Sequence, residues 1–143
     1  MYKKVLLPVS GEQRCKRASI ALKKALEVCD GEIVLLHVTT PIPNTVGGEA
    51  REELLREDTA KGLMAMSPII EQLEASGRPF HTLVMGGHPD ECIVRAADEE
   101  NADLIVMFTD GRDGIGDMFL GSITERVLRN AGIDLLAVRG QIK

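Results

Sequence analysis

The sequence predicts a single doubly wound α/β domain, residues 1–143, in which helices cover both faces of a parallel sheet. Apolar runs of strand length alternate with segments of helical periodicity along all 143 residues. Predicted helix ends at Gly31, Gly77, Asn101 and Gly132 each lead into such a run. Only 3% of the residues are aromatic, so we expect an aliphatic core, which is typical of parallel sheets buried on both faces.

The elements follow from these runs in order. Strands are predicted at residues 3–9, 32–38, 79–85, 103–108 and 134–138. Helices are predicted between them, at residues 14–29, 49–76, 89–101 and 122–130. Pro68 lies inside the second helix, where a missing amide donor predicts a kink or a split into two helices.

Composition and charge exclude several classes of protein. The formal net charge is −5 and no cluster of Lys and Arg stands out, so nucleic acid is not an expected partner. No segment has the length of a membrane span or of a signal peptide, so a cytoplasmic location is expected. Cys15, Cys29 and Cys92 show no metal-ligand spacing and are expected in the core, with a redox role left open.

A glycine loop between the fourth strand and the last helix is the most informative stretch. Gly111, Gly114, Gly116 and Gly121 permit close approach of the backbone to a ligand. Ser122 is three residues before Glu125, the spacing of a capping box, so the serine is expected to be the N-cap of the helix. The positive end of a helix after such a loop is typical of an anion site.

The charges of this loop oppose a bound phosphate. Asp110, Asp113 and Asp117 against Arg112 give the loop a net charge of −2. We therefore expect a phosphate to need a bridging divalent cation, Mg²⁺ or Mn²⁺. The alternative is that these aspartates belong to a solvated turn and bind nothing.

The sequence offers no constellation for catalysis. No G-x-S-x-G motif is present, and no acid or histidine can be assigned to activate Ser122. His37 and His81 lie in predicted strands and are expected to be hydrogen-bonded structural residues, and His88 is expected in the turn before Pro89. No two histidines have metal-ligand spacing.

Four stretches together resemble the universal stress protein family over essentially the whole chain. They are KVLLPVSG in the first strand, LLHV in the second, GHP followed by DECIVRAADEENADLIVM, and GSITERVLRNAGIDLLAVR at the end. The resemblance implies a five-stranded parallel sheet of order 3-2-1-4-5 and a homodimer paired through the last strand, residues 133–139. In one branch of the family it also implies an ATP site with the pattern G-x2-G-x9-G-[ST].

The ATP pattern is incomplete in this chain. Gly111 is its second glycine and Gly121 with Ser122 closes it, but Phe108 stands at the first glycine. Ser10 stands where ATP-binding members have an aspartate facing the ribose. We therefore expect ATP to bind weakly or not at all. The binding residues that the resemblance implies are Pro8, Ser10, Val38, Met107, Gly111, Gly121, Ser122 and Ile123.

Three functions remain open at the level of sequence. The leading interpretation is a non-catalytic stress-response or signalling module with a degenerate nucleotide pocket and an unknown protein partner. The second is an ATP-binding, metal-dependent switch. The third is an enzyme of the same layered fold, but a phosphoacceptor domain needs acids where this chain has Ser10 and Met85.

Overall fold

The computed structural model describes residues 1–9, 15–109 and 121–139, with the side chains of residues 15 and 16 left out. Strands and helices alternate through these segments. The strands are β1 (Tyr2–Pro8), β2 (Cys29–Thr39), β3 (Phe80–Gly86), β4 (Leu104–Thr109) and β5 (Asp134–Arg139). The helices are α1 (Cys15–Val28), α2 (Gly48–Ser76), α3 (Pro89–Glu99) and α4 (Ser122–Asn130).

The five strands form one parallel sheet in the order β3-β2-β1-β4-β5, which confirms the predicted topology. The chain builds outward from β1 to β3, then crosses to the other side of β1 to add β4 and β5. The strand order therefore reverses between β1 and β4. At such a reversal the loops that follow neighbouring strands diverge and leave a crevice.

Two aliphatic layers hold the helices against the sheet. Successive residues of β1 belong to opposite layers. Leu7 packs with α1 and α2 on one face of the sheet, and Leu6 packs with α3 and α4 on the other. Helical contributions to the layers include Leu22 and Ile69 on the first face and Ile93 on the second. Among the described residues, the fully buried members of both layers are non-aromatic, which agrees with the expected aliphatic core, and Tyr2, Phe80 and Phe108 are only partly buried against the first layer.

The junction of α1 and β2 differs from the prediction. The helix was expected to reach Cys29 and to end at Asp30 and Gly31, but it ends at Val28 and β2 starts at Cys29. Gly31 therefore lies inside the strand, where the register with β1 shifts between Tyr2 and Lys4. A Cβ atom on Gly31 would lie 1.9 Å from the carbonyl oxygen of Lys3. Glycine is required here for close approach of two strands.

Pro68 does not interrupt α2, and the ends of α2 and α4 agree with the predictions. The expected split at Pro68 is wrong, because α2 continues unbroken from Gly48 to Ser76. Its predicted end is confirmed: Gly77 has a φ of 73°, which is the left-handed conformation that glycine adopts readily. The predicted end of α4 near residue 130 is also confirmed: the helix ends at Asn130, and its C-cap, Ala131, has extended backbone one residue before the expected stop at Gly132.

A carboxylate fixes the start of β1 beside β4. The Asp103 carboxylate accepts hydrogen bonds of 2.9 Å from the backbone amides of Lys3 and Lys4. Partial burial raises the pKa of Asp103, but these amide hydrogen bonds outweigh it and leave the pKa below its usual value. Among the described residues, no helix is long and apolar enough to cross a membrane.

Candidate functional site

A cavity of about 340 Å³ lies at the carboxyl ends of the strands, next to the strand-order reversal. Its walls come from the ends of β1, β2 and β4, from α1 and α3, and from the first turn of α4. The described lining residues are Pro8, Val9, Arg17, Ala18, Ala21, Leu36, Val38, Pro89, Ile93, Met107, Phe108, Thr109, Gly121, Ser122, Ile123 and Thr124. Ligands of doubly wound sheets bind at this location.

The structure brings together most of the residues that the sequence assigned to a site. The assigned residues that line the cavity are Pro8, Val38, Met107, Gly121, Ser122 and Ile123. Ser10 and Gly111 lie outside the described residues, as do Asp110, Asp113 and Asp117. The cavity therefore joins predicted site residues that are up to 115 residues apart in sequence, from Pro8 to Ile123.

The start of α4 differs from the predicted capping box. Gly121 is the N-cap, and Ser122 is the first residue of the helix. No side chain caps the helix at this end, and Glu125 instead forms an ion pair with Arg129, with 2.7 Å between Oε1 and NH2. The shift of one residue places Ser122 at the cavity wall rather than in the cap, so an anion can approach the exposed first amides of the helix.

Arg17 is a lining residue that the sequence argument missed. It extends from α1, and its guanidinium carbon lies 5.8 Å from the centre of the Phe108 ring, within the range of a cation–π contact. Of the described residues that line the cavity, Arg17 alone carries a charge. A positively charged residue in the apolar face of the first predicted helix, beside Ala18 and Ala21, was the signal that could have identified it.

Two buried hydroxyl side chains were also missed. Thr109 at the end of β4 is 5% exposed and Thr124 in the first turn of α4 is 4% exposed. With Ser122 they give the described part of the cavity wall three hydroxyl groups among largely apolar side chains. The combination of apolar walls, one guanidinium, a few hydroxyls and a helix N-terminus suits a ligand with a flat apolar part and an anionic part.

The described part of the cavity holds no acid, histidine or thiol. His37 faces elsewhere as a structural residue, with its Nδ1 atom 2.9 Å from the Val9 carbonyl oxygen, as predicted. Cys92 is 2% exposed, and burial raises the pKa of its thiol, which disfavours the reactive thiolate. The described lining residues therefore supply binding groups: a guanidinium, hydroxyls and the N-terminus of α4.

The sequence profile described as the Universal stress protein family matches residues 1–139 of this chain. The chain belongs to the universal stress protein family. This confirms the resemblance that the strand and loop motifs indicated. The match leaves out the last four residues, 140–143.

Curated relatives of this universal stress protein cover nearly its whole length. A universal stress protein of Thermus aquaticus is 32% identical over 140 residues, covering 97% of this chain and all of the relative. The universal stress protein MJ0531 of Methanocaldococcus jannaschii is 31% identical, with 97% of this chain and 83% of the relative covered.

Solved structures share the fold of this universal stress protein. The protein MJ0577 of M. jannaschii superposes with a TM-score of 0.76 at 31% identity, and the match covers 100% of this chain and 99% of the other. An Arabidopsis thaliana universal stress protein family protein with AMP bound has a TM-score of 0.68 at 18% identity, covering 97% and 92% of the two chains. A universal stress protein in complex with cAMP has a TM-score of 0.65 at 19% identity, covering 96% and 97%.

Proposed function

We propose that this universal stress protein is a non-catalytic stress-response or signalling module whose degenerate pocket binds adenine nucleotides weakly. The observation that carries this proposal is the cavity at the strand-order reversal. Phe108 at the end of β4 and Arg17 of α1 both line it and contact each other. Two proteins of the same fold have AMP and cAMP bound, which supports a nucleotide as the class of ligand to test. The unidentified protein partner of the signalling module is a separate question.

Phe108 is the physical reason for weak binding. A glycine in its place would leave the backbone of β4 open to a ligand, whereas the phenyl ring is partly buried and lines the cavity. The ring also contacts Arg17, so a nucleotide that uses the guanidinium must first displace or share this contact. Ser10, as an uncharged residue, does not replace the carboxylate that faces the ribose in ATP-binding members.

The absence of catalysis is supported by the chemistry of the described lining residues. Hydroxyl groups become nucleophiles only beside a general base, and the described cavity wall contains no such base. The hydroxyls of Ser122, Thr109 and Thr124 are therefore best suited to hydrogen bonding with a ligand.

Thermal denaturation with ATP, AMP and cAMP, each with and without Mg²⁺, tests the proposal. A ligand at its dissociation constant adds only about 0.4 kcal/mol to the free energy of unfolding. For millimolar nucleotide we expect a rise in melting temperature of about 1–2 °C or less. A rise of many degrees with ATP and Mg²⁺ or Mn²⁺ would contradict the weak site.

An ATP-binding switch is the second candidate, and Arg17 favours it. The guanidinium and the N-terminus of α4 lie on the same cavity and could together neutralise a phosphate chain. Such a switch would bind ATP tightly, with Mg²⁺ or Mn²⁺ as a bridge to the acidic loop. The large metal-dependent rise in melting temperature described above is the result that would place this candidate first.

We also propose that the protein forms a homodimer through residues 133–139. β5 is the edge strand next to β4, and of its six residues only Val138 is fully buried. An edge strand has backbone donors and acceptors on one side that a second copy can pair by two-fold symmetry.

A lysine in the proposed dimer interface should separate the two copies. Leu136→Lys places a charge on β5 and is expected to convert a dimer to a monomer at micromolar concentration, measured by light scattering. Thr82→Lys is the matched control, because Thr82 is a partly buried residue on β3, the strand at the other edge. A wild-type monomer, or a dimer that Leu136→Lys leaves intact, would exclude pairing through β5.

A further inference from the structure

Four ionisable side chains meet near the amino ends of the strands, away from the cavity. Glu32 lies in β2, His81 in β3, Lys4 in β1, and Glu100 directly after α3. The His81 ring lies between the two carboxylates, with Nδ1 3.0 Å from Glu32 Oε1 and Nε2 2.6 Å from Glu100 Oε1. The Lys4 Nζ atom is 3.4 Å and 3.5 Å from the same two oxygens.

Three of these residues offer the donor atoms of a metal site. One oxygen of Glu32, one oxygen of Glu100 and one ring nitrogen of His81 all lie within 4.8 Å of one another. β2 and β3 are paired at the cluster itself: Val34 pairs with His81, and Ile33, the residue after Glu32, pairs with Phe80. The sheet therefore fixes two of the three donors before any ion binds, which reduces the entropy cost of binding.

The charges of the cluster are poorly balanced within the protein. Charge-assisted hydrogen bonds are about 2.7–2.9 Å long, so the lysine compensates both carboxylates only loosely. Glu32 Oε1 is buried from solvent and accepts no hydrogen bond, even though His81 Nδ1 is 3.0 Å away, because the contact lacks hydrogen-bond geometry. Lys4 and His81 contact this oxygen without forming a hydrogen bond, and a buried oxygen that lacks a hydrogen bond is costly.

We propose that Glu32, His81 and Glu100 bind a divalent transition metal ion of the Zn²⁺ type, with water as a fourth ligand. An imidazole nitrogen with two carboxylate oxygens is a donor set for Zn²⁺, and Mg²⁺ prefers oxygen ligands alone. The ion takes the place of the Lys4 ammonium between the two carboxylates. The Lys4 side chain is 31% exposed and can turn toward solvent. The ion would tie β2 and β3 to the end of α3, independently of the nucleotide cavity.

Competition between Lys4 and the metal gives the proposal a specific test. Zinc chloride is titrated calorimetrically into the metal-free protein, and melting temperatures are measured with and without zinc. The wild type is expected to bind zinc, and Lys4→Met is expected to bind it more tightly, because no ammonium then has to leave the two carboxylates. Without zinc, Lys4→Met is expected to have a lower melting temperature than the wild type, and added zinc should restore it.

Removal of a proposed ligand should have the opposite effect. His81→Ala and Glu100→Gln are each expected to lower the zinc affinity at least about tenfold, since even changes to outer-shell residues cost that much. His88→Ala is the matched control: His88 is the exposed N-cap of α3, away from the cluster, and its loss should leave binding unchanged. Circular dichroism checks that each variant is folded.

Three results would overturn the proposal. The first is an absence of zinc binding in both the wild type and Lys4→Met. The second is binding that survives His81→Ala, which would place the ion at the cysteines or elsewhere. The third is a Lys4→Met variant that is destabilised and is not restored by zinc, because Lys4 would then be a structural ion-pair partner alone.

Discussion

Gly31→Ala is expected to destabilise the protein by at least about 3 kcal/mol, the upper end of the range for an overpacked site. The added Cβ atom would lie 1.9 Å from the Lys3 carbonyl oxygen and 2.8 Å from its carbonyl carbon. Both are backbone atoms of β1, so no side-chain rotation relieves the overlap. The β1–β2 pairing must open at this point, and β1 lies at the centre of the sheet.

The midpoint of urea denaturation measures this effect, with the slope used to check that the transition stays two-state. Gly132→Ala is the control, because a Cβ atom there meets nothing within 4 Å. It should change the free energy of unfolding by less than about 1 kcal/mol, and could raise it by restricting the unfolded chain. If Gly31→Ala proved as stable as the control, the prediction would be wrong, because the strands at the register shift would then have room for a Cβ atom.

Phe108→Gly combined with Ser10→Asp is expected to raise the affinity for ATP by about tenfold or more, which corresponds to about 1.4 kcal/mol. The first change opens the cavity wall and releases Arg17 from its contact with the phenyl ring. The second supplies a carboxylate for the ribose. Titration calorimetry with ATP and Mg²⁺ measures the gain.

The same variant should be less stable than the wild type. Loss of a buried phenyl ring costs about 3–5 kcal/mol, and Phe108 is only partly buried, so the lower part of this range is expected. Phe80→Ala is the control, because Phe80 is a partly buried phenylalanine of β3 that does not line the cavity. It should lose stability without gaining affinity. An unchanged ATP affinity in the double variant would exclude Phe108 and Ser10 as the cause of weak binding, and the charge of the acidic loop would then be the explanation to test.

The proposed metal site and the proposed nucleotide site lie at opposite ends of the strands, so their tests are independent. Zinc binding at Glu32, His81 and Glu100 would stand even if no nucleotide binds. Conversely, a tight ATP site would say nothing about the cluster. The two ends of one parallel sheet can therefore carry separate functions, one at the crevice and one at the start of the strands.

Much of the fold could be predicted because its signals are local. The apolar run at residues 104–108 is buried or nearly so, and Gly77 ends α2 in the left-handed conformation that its sequence position suggests. Hydrophobic periodicity and turn-forming residues depend on neighbours in sequence alone, so they can be recognised without knowing the tertiary structure. The strand order itself came from the family resemblance and was confirmed.

The site was predicted in part, for a related reason. Loops after parallel strands meet at one edge of the sheet, so a site at the strand ends could be predicted from the alternation of elements. The family resemblance then supplied the individual residues, of which Pro8, Val38 and Met107 line the cavity. Arg17 could not be assigned in this way, because its position depends on how α1 packs against the end of β4. The role of Ser122 also differed from the prediction, because the N-cap of α4 is Gly121 and Ser122 is the first helical residue.

The sequence by itself determined the alternation of strands and helices, the aliphatic core and the location of the cavity at the strand ends. Only the tertiary structure decided that Gly31 faces the Lys3 backbone, and that Glu32 and His81 lie beside Glu100. The physical reason is register. A shift of one residue between paired strands moves every side chain to the opposite face, and no local pattern in this sequence specifies that alignment.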